Sequence, residues 1–280
     1  MQRPFKSDLV IEEKISKSTF RAYHVGFEQN KFRLQPLVDV IRRVIPEFAL
    51  GYYEGHSIPL NEVVDKLHEA AITVYTTDKY QNRGEFGELI LHLLLRDFCN
   101  SIPLISKIYF KDSLNVTVHG FDGVHVTIEG DIKKLWLGES KLYTSGEDGV
   151  KDLCNDLKEH IAADYIRKEF ELISRKLPSS VPEIDYWRTL MHKHQKLENI
   201  YSGICIPLVC TYSSSLFKTH HQETQKYIED FKKECDSLRE LFKTKRISTD
   251  VDVVLMLLPV PCKNELNKEL DARLKRMQGI

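Results

Sequence analysis

The sequence predicts an α/β fold, a mixed sheet flanked by helices, and three patterns in its 280 residues carry that prediction. Between Leu104 and Tyr143, short runs rich in β-branched and aromatic residues follow one another with glycine-marked turns between them. On either side lie segments whose apolar residues recur at helical spacing. Beyond Pro182 the order becomes strand, helix, strand, helix, which implies parallel neighbours on a shared sheet.

The elements follow in order. Thr19 to Glu28 alternates in polarity and reads as an early strand. Leu34 to Ile45 has helical periodicity and is stopped by Pro46, which lacks an N–H and clashes with the preceding turn. Tyr52 to Ser57 reads as a loop, and Pro59 to Thr76 as a helix with proline near its start. Arg83 to Asn100 is the strongest helix of the front half. Phe86, Leu89, Ile90, Leu93, Leu94 and Phe98 form its apolar stripe, and Glu85 and Glu88 sit near the positive end of its dipole. Leu104 to Phe110, Asn115 to Asp122, Val124 to Ile128 and Lys134 to Tyr143 read as strands. Glu147 to Leu177 reads as one long amphipathic helix with room for a break. Pro178 to Pro182 is linker-like, Glu183 to Tyr201 reads as a helix, and Ile204 to Tyr212 and Val251 to Pro259 are apolar enough to be interior strands. Helices from His221 to Lys243 and from Asn264 to Met277 complete the chain. A single domain over 1–280 is expected: strand and helices in 1–82, a core in 83–178, and a strand–helix extension of the same sheet in 183–280.

Composition narrows the function. Apolar and charged fractions of 42% and 29% are those of a globular protein. No run approaches the roughly 18 apolar residues that cross a bilayer, and MQRPFKSDLVIEEK lacks the apolar core of a secretion signal, so a cytoplasmic location is expected. Six scattered cysteines without a CxxC pair read as reduced, mostly buried thiols. Net charge is −1, which excludes polyanion binding by bulk electrostatics alone. No GxxxxGK[ST] or GxGxxG motif is present, so nucleotide-driven chemistry within the chain is not expected. Ser213-Ser214-Ser215 lacks a glycine elbow. His220-His221-Gln222-Glu223, at a helix start, reads as a solvated cap.

The chemistry concentrates between Phe121 and Leu142. Gly130-Asp131 marks a tight turn; folding the chain about it sets Asp122 opposite Glu139. Directly opposed residues hold their Cβ atoms roughly 4.5–5.5 Å apart. Residues two apart in a strand share a face, so Glu139 and Lys141 point the same way and Ser140 the other. Two carboxylates and the Ser140 carbonyl are hard oxygen donors suited to Mg²⁺ or Mn²⁺. Lys141 would orient the attacking water or stabilise charge on a phosphate, and a metal beside it would lower its pKa. Leu135, Trp136 and Leu137 place these charges at the end of a buried strand, not along a solvated one.

Helix, hairpin bearing Asp and Glu-x-Lys, then helix is the element order of the PD-(D/E)xK nuclease core, which this chain resembles; the resemblance implies that a glutamate of the preceding helix joins the metal, Glu88 ahead of Glu85. More specifically, Arg83-Gly-Glu-Phe-Gly-Glu88, Phe121-Asp-Gly-Val-His125 and Leu137-Gly-Glu-Ser-Lys-Leu142 resemble the HamA family, the small subunit of the Hachiman antiphage defence system. The resemblance extends over most of the chain, although the region after Pro182 has no short signature. It implies a PD-(D/E)xK-like nuclease with Asp122, Glu139 and Lys141 at the family's acidic and Glu-x-Lys positions. It also implies a helicase partner, HamB, that restrains the nuclease until abnormal or invading DNA is sensed. The glutamine-bearing helix motif of RecB-like nucleases is not evident after Lys141, where Glu147 to Lys158 offers acids, lysines and Asn155. Two alternatives remain open at this point: a non-catalytic scaffold or DNA-binding subunit on a nuclease fold, and a stand-alone restriction-type endonuclease.

Overall fold

A computed structural model describes residues 7–51, 57–74, 84–106, 120–245 and 247–279. Its centre is a seven-stranded mixed sheet, built from β1 (Glu12–Lys17), β2 (Phe20–His24), β5 (Ile102–Ser106), β6 (Gly123–Glu129), β7 (Ile132–Tyr143), β8 (Ile204–Ser213) and β9 (Asp252–Val260). The spatial order is β1-β2-β9-β8-β7-β6-β5. The four inner strands β2, β9, β8 and β7 are parallel to one another, and antiparallel pairings extend the sheet, β1 on β2 at one edge and β6 on β7 then β5 on β6 at the other. Two short strands, β3 (Phe27–Glu28) and β4 (Lys31–Phe32), pair separately. Strands from all three stretches of the chain join the one sheet. The fold is therefore α/β, a mixed sheet flanked by helices and consistent with a nuclease-like architecture.

The inner strands show why a parallel sheet is covered on both faces. Every residue of β8 from Ile204 to Tyr212 is buried, and β9 is buried from Val254 onward. Alternate residues of β9 go to opposite layers. Leu255 and Leu257 meet one core with α5 (Gly146–His160), α6 (Ala163–Lys176), α7 (Ile184–Leu190) and α9 (Gln225–Thr244). Val254, Met256 and Leu258 meet the other, with α1 (Leu34–Arg43), α2 (Ile45–Leu50), α3 (Val63–Val74), α4 (Glu85–Phe98) and α10 (Lys263–Gln278). A four-residue helix, α8 (Leu216–Thr219), follows β8.

The β6–β7 hairpin turns at Gly130-Asp131, where Gly130 at φ +60° supplies the left-handed backbone that a two-residue turn needs. At the other end of the hairpin Gly138 lets α4 approach closely: a Cβ there would lie 2.9 Å from Leu91.

Several elements differ from expectation. The early strand is a β1–β2 hairpin, with β1 unanticipated, and it ends where Gly26 takes φ +74°. The long helix breaks at Ile161-Ala162 into α5 and α6. The helix expected over Glu183 to Tyr201 is only α7, followed by 3₁₀ turns at Leu197–Asn199 and Tyr201–Gly203. Tertiary hydrogen bonds explain the break, because the Arg167 guanidinium donates to the carbonyls of Lys193 and Gln195. Those carbonyls thereby gain partners that a helix would otherwise have to provide. Residues 52–56 of the loop Tyr52 to Ser57, 75–76 of the helix Pro59 to Thr76, Arg83, and parts of the runs Leu104 to Phe110 and Asn115 to Asp122 lie outside the described residues.

Candidate active site at the end of the central hairpin

The hairpin register runs from Glu129 opposite Ile132 to Gly123 opposite Gly138. The Asp122 N–H donates to the Gly138 carbonyl at 2.9 Å and carries the pairing one step further, beside Glu139. Asp122 is not in a regular strand; it lies just ahead of β6. Its Oδ2 accepts from the Ser140 N–H at 2.9 Å and from the Ser140 hydroxyl at 2.8 Å. Two donors in hydrogen-bond range fix this buried carboxylate against the strand.

The alternation that buries Leu135 and Leu137 against α5 continues to Glu139 and Lys141. Charge is thereby carried into the end of a core-facing row. Glu139 is 3% exposed, and Lys141 Nζ lies 2.5 Å from Asp156 Oδ2. Burial alone would lower the Lys141 pKa. The bond to Asp156 and the charges of Asp156, Glu139 and Asp122 outweigh burial and raise it. The protein's own acids thus act in the opposite direction to the lowering expected beside a metal.

Ser140 projects to the other face, where a Cβ on Gly87 of α4 would fall 3.1 Å from its hydroxyl oxygen. Glu88, the next residue of α4, is buried, and Glu85 is half-buried. The structure therefore gathers Asp122, Glu139, Ser140 and Lys141 at one end of the hairpin, with Glu88 on the helix packed against Ser140. Among the described residues, the ligand oxygens of Asp122, Glu139 and Glu88 do not meet as a trio within 4.8 Å of one another.

With this arrangement goes a match along the whole length of the chain: the sequence profile of the HamA family matches residues 3–274. The chain belongs to the HamA family. It is thus a Hachiman defence-associated protein, from a system that has other subunits. No curated protein matches the sequence. Among the described residues no helix is long and apolar enough to cross a membrane.

In this HamA-family chain the helix after the hairpin contributes groups that sequence reasoning missed. The strand β7 and the helix α5 run in opposite directions and present a ladder of three side-chain pairs. The Tyr143 hydroxyl donates to Asp152, Lys141 pairs with Asp156, and His160 Nδ1 lies 3.0 Å from Glu139 Oε1. Two residues of strand advance about 6.6 Å and four residues of helix about 6 Å, so the two series stay in step. The His160–Glu139 contact is close in distance but is not an aligned hydrogen bond. Tyr165 of α6 stacks on His160 with centroids 4.3 Å apart, and the Phe121 ring meets His160 edge-on. The Phe121 N–H donates to Glu169 Oε2 at 3.4 Å, bringing a further buried carboxylate to this end of the sheet. Asp152, Asp156 and His160 stand four apart in the sequence, and that spacing was the available signal.

Asp156, Glu139 and Asp122 act on the Lys141 ammonium, and Glu169 lies with His160 and Tyr165. Burial holds the His160 ring below its ordinary pKa, although Asp156, Glu159, Glu169 and Asp122 raise it, so His160 adds little positive charge near neutral pH. The Tyr165 hydroxyl is pushed up by burial first and then by Glu169, Glu139, Glu159 and Asp122. The buried carboxylates of Asp122 and Glu139 are hard oxygen donors of the type that fits a divalent cation such as Mg²⁺ or Mn²⁺.

Proposed function

We propose that this chain is the nuclease effector of its defence system, a metal-dependent DNase held in check by a HamB-like helicase until foreign or damaged DNA is sensed. The observation that carries the reading is the convergence of Asp122, Glu139 and Lys141 at one end of the β6–β7 hairpin, with the charges of both acids acting on the lysine ammonium. Asp122, Glu139, the Ser140 carbonyl and Glu88 would hold Mg²⁺ or Mn²⁺. When bound, such an ion supplies Lewis-acid polarisation of the phosphoryl group and activation of water.

The remaining roles belong to the chain's own residues. Lys141 extends its ammonium from the edge of the acidic cluster toward a scissile phosphate, where it orients the nucleophile or stabilises developing charge. Asp156 positions Lys141, and His160 restrains the Glu139 carboxylate. Ser140 fixes Asp122 through two hydrogen bonds. DNA is the substrate. With no nucleotide-binding motif in the sequence, ATP hydrolysis is assigned to the helicase partner. The six free cysteines suit a reducing cytoplasm, where such DNA is met.

The test is plasmid cleavage in Mg²⁺ by the purified chain, alone and with its helicase partner, comparing wild type with Glu139→Ala and Lys141→Ala. Cleavage by wild type and loss in both variants is expected. Equal cleavage by all three proteins would remove the assigned site.

One observation favours a second reading, a nuclease-fold scaffold. Asp122, Glu139 and Glu88 are not gathered to coordination distances, while Lys141 and Glu139 are engaged by α5. A scaffold would bind no Mn²⁺ in calorimetry at the Asp122–Glu139 pair, whereas the nuclease would lose Mn²⁺ binding on Glu139→Ala.

A further inference from the structure

The segment His220-His221-Gln222-Glu223 does not form the solvated cap that its sequence suggests. Helix α9 begins at Gln225, capped by the Thr224 hydroxyl, and Glu223 turns back toward the β1–β2 hairpin. There it meets Glu12 and His24, which stand opposite each other in the register of that hairpin. His24 is 1% exposed. Its Nε2 lies 3.3 Å from Glu12 Oε2 and 3.7 Å from Glu223 Oε2, and one ligand atom from each of the three residues falls within 4.8 Å of the others. A cavity of about 130 Å³ lined by these three side chains, Asp8 and Arg33 opens beside them.

We propose that Glu12, His24 and Glu223 form a second metal site, for a zinc-class divalent transition ion, that ties the edge hairpin to the segment before α9. It is independent of the cluster at the end of β7.

Three features carry the assignment. The first is spacing. Around a tetrahedral ion with bonds of about 2.0–2.1 Å, neighbouring ligand atoms stand about 3.3–3.4 Å apart, close to the separations measured from His24 Nε2. The second is orientation from outside the ligand set. Lys14 Nζ bonds Glu12 Oε1 at 2.6 Å and Glu223 Oε1 at 2.5 Å, so one ammonium braces both carboxylates by the oxygens the ion would not use. On the other side of the ring, His24 Nδ1 lies 3.4 Å from the Tyr227 hydroxyl, an outer partner of the kind that fixes a ligating tautomer. The third is chemistry. An imidazole with two carboxylates favours zinc-class ions over Mg²⁺.

The experiment titrates full-length protein with Co²⁺ and Zn²⁺. Co²⁺ should give one set of visible absorption bands with the intensity of four- or five-coordination, displaced by Zn²⁺. These bands should persist in Glu139→Gln and disappear in His24→Gln and in Glu223→Gln. Lys14→Ala, which removes only the outer brace, should weaken Zn²⁺ binding roughly 10–100-fold. Because His24 is buried, Glu223→Gln on the exposed segment serves as the decisive variant if His24→Gln does not fold. Absence of Co²⁺ bands in the wild type overturns the proposal. So do bands that survive Glu223→Gln, or bands lost only in Glu139→Gln, which would assign the ion to the other cluster.

Discussion

The two faces of the β6–β7 hairpin carry two buried polar clusters built on opposite principles. On the α4 face, Glu47 accepts from Arg96 Nη1 at 3.3 Å and contacts His92 Nε2 at 2.8 Å. Asp97 accepts from Arg96 Nε at 2.8 Å, from Nη2 at 3.1 Å, and from the Ser7 hydroxyl. Each carboxylate oxygen has a neighbour able to donate, and all four charged or titratable side chains are almost fully buried. On the α5 face, by contrast, the Lys141 ammonium pairs with Asp156 beside Glu139 and Asp122, and Lys141 and Asp156 are each about a quarter exposed. A closed network with every carboxylate oxygen met holds a shape. An open one leaves an ammonium and a carboxylate reachable from solvent. Burial of polar groups therefore does not separate the two clusters; exposure of their charged ends does.

The largest effect should come from breaking the closed network. Arg96→Ala leaves Glu47 and Asp97 without their shared cation and should cost about 3–5 kcal/mol of unfolding free energy in chemical denaturation. Lys141→Ala should leave the denaturation midpoint nearly unchanged while abolishing cleavage. Similar losses of stability in the two variants would erase the distinction between the faces.

A smaller effect sharpens the account of the open cluster. Asp156→Asn removes the strongest influence holding the Lys141 pKa up and frees its ammonium from α5. Cleavage by the complex with the helicase should fall roughly 10–100-fold, the scale of a misplaced catalytic group. Glu should restore less activity than Asp at this position, because the longer side chain shifts the ammonium it holds. Cleavage at or above the wild-type rate in Asp156→Asn would show that the pair restrains Lys141 instead of positioning it.

How much of this was legible in the sequence depended on how local the determining contacts are. The hairpin register was readable because Gly130-Asp131 sets the turn and the alternation through Leu135 and Leu137 sets the faces. The interior position of β8 and β9 followed from their unbroken apolar runs. The pairing of α5 with β7 was not read, since Asp152, Asp156 and His160 look like solvated helix residues until the short Thr144-Ser145 connection aligns helix and strand. Glu223 lies 199 positions from His24 and 211 from Glu12, so no local pattern joins them. Residues 191–201 were over-read as helix because Arg167, which bonds the carbonyls of Lys193 and Gln195, is distant in sequence. Local turn chemistry and strand patterning travelled well, while contacts between layers did not.

The smallest expected effect is a pH dependence belonging to the closed network alone. Burial would raise the Glu47 pKa, but the bond from His92 and the charges of His92 and Arg96 outweigh it, so its folded value lies below the ordinary 4.5. A carboxyl lowered in the folded state contributes stability that is fully present above its unfolded pKa and is lost as pH falls through the folded one. The wild-type chain should therefore lose stability faster than Glu47→Gln as pH drops through 4.5 and below, and the gap between the two proteins should narrow on that descent. Urea denaturation midpoints from pH 7 down to about pH 3 measure it. A gap of constant width would mean that Glu47 is held by shape and hydrogen bonding, with no net contribution from its charge.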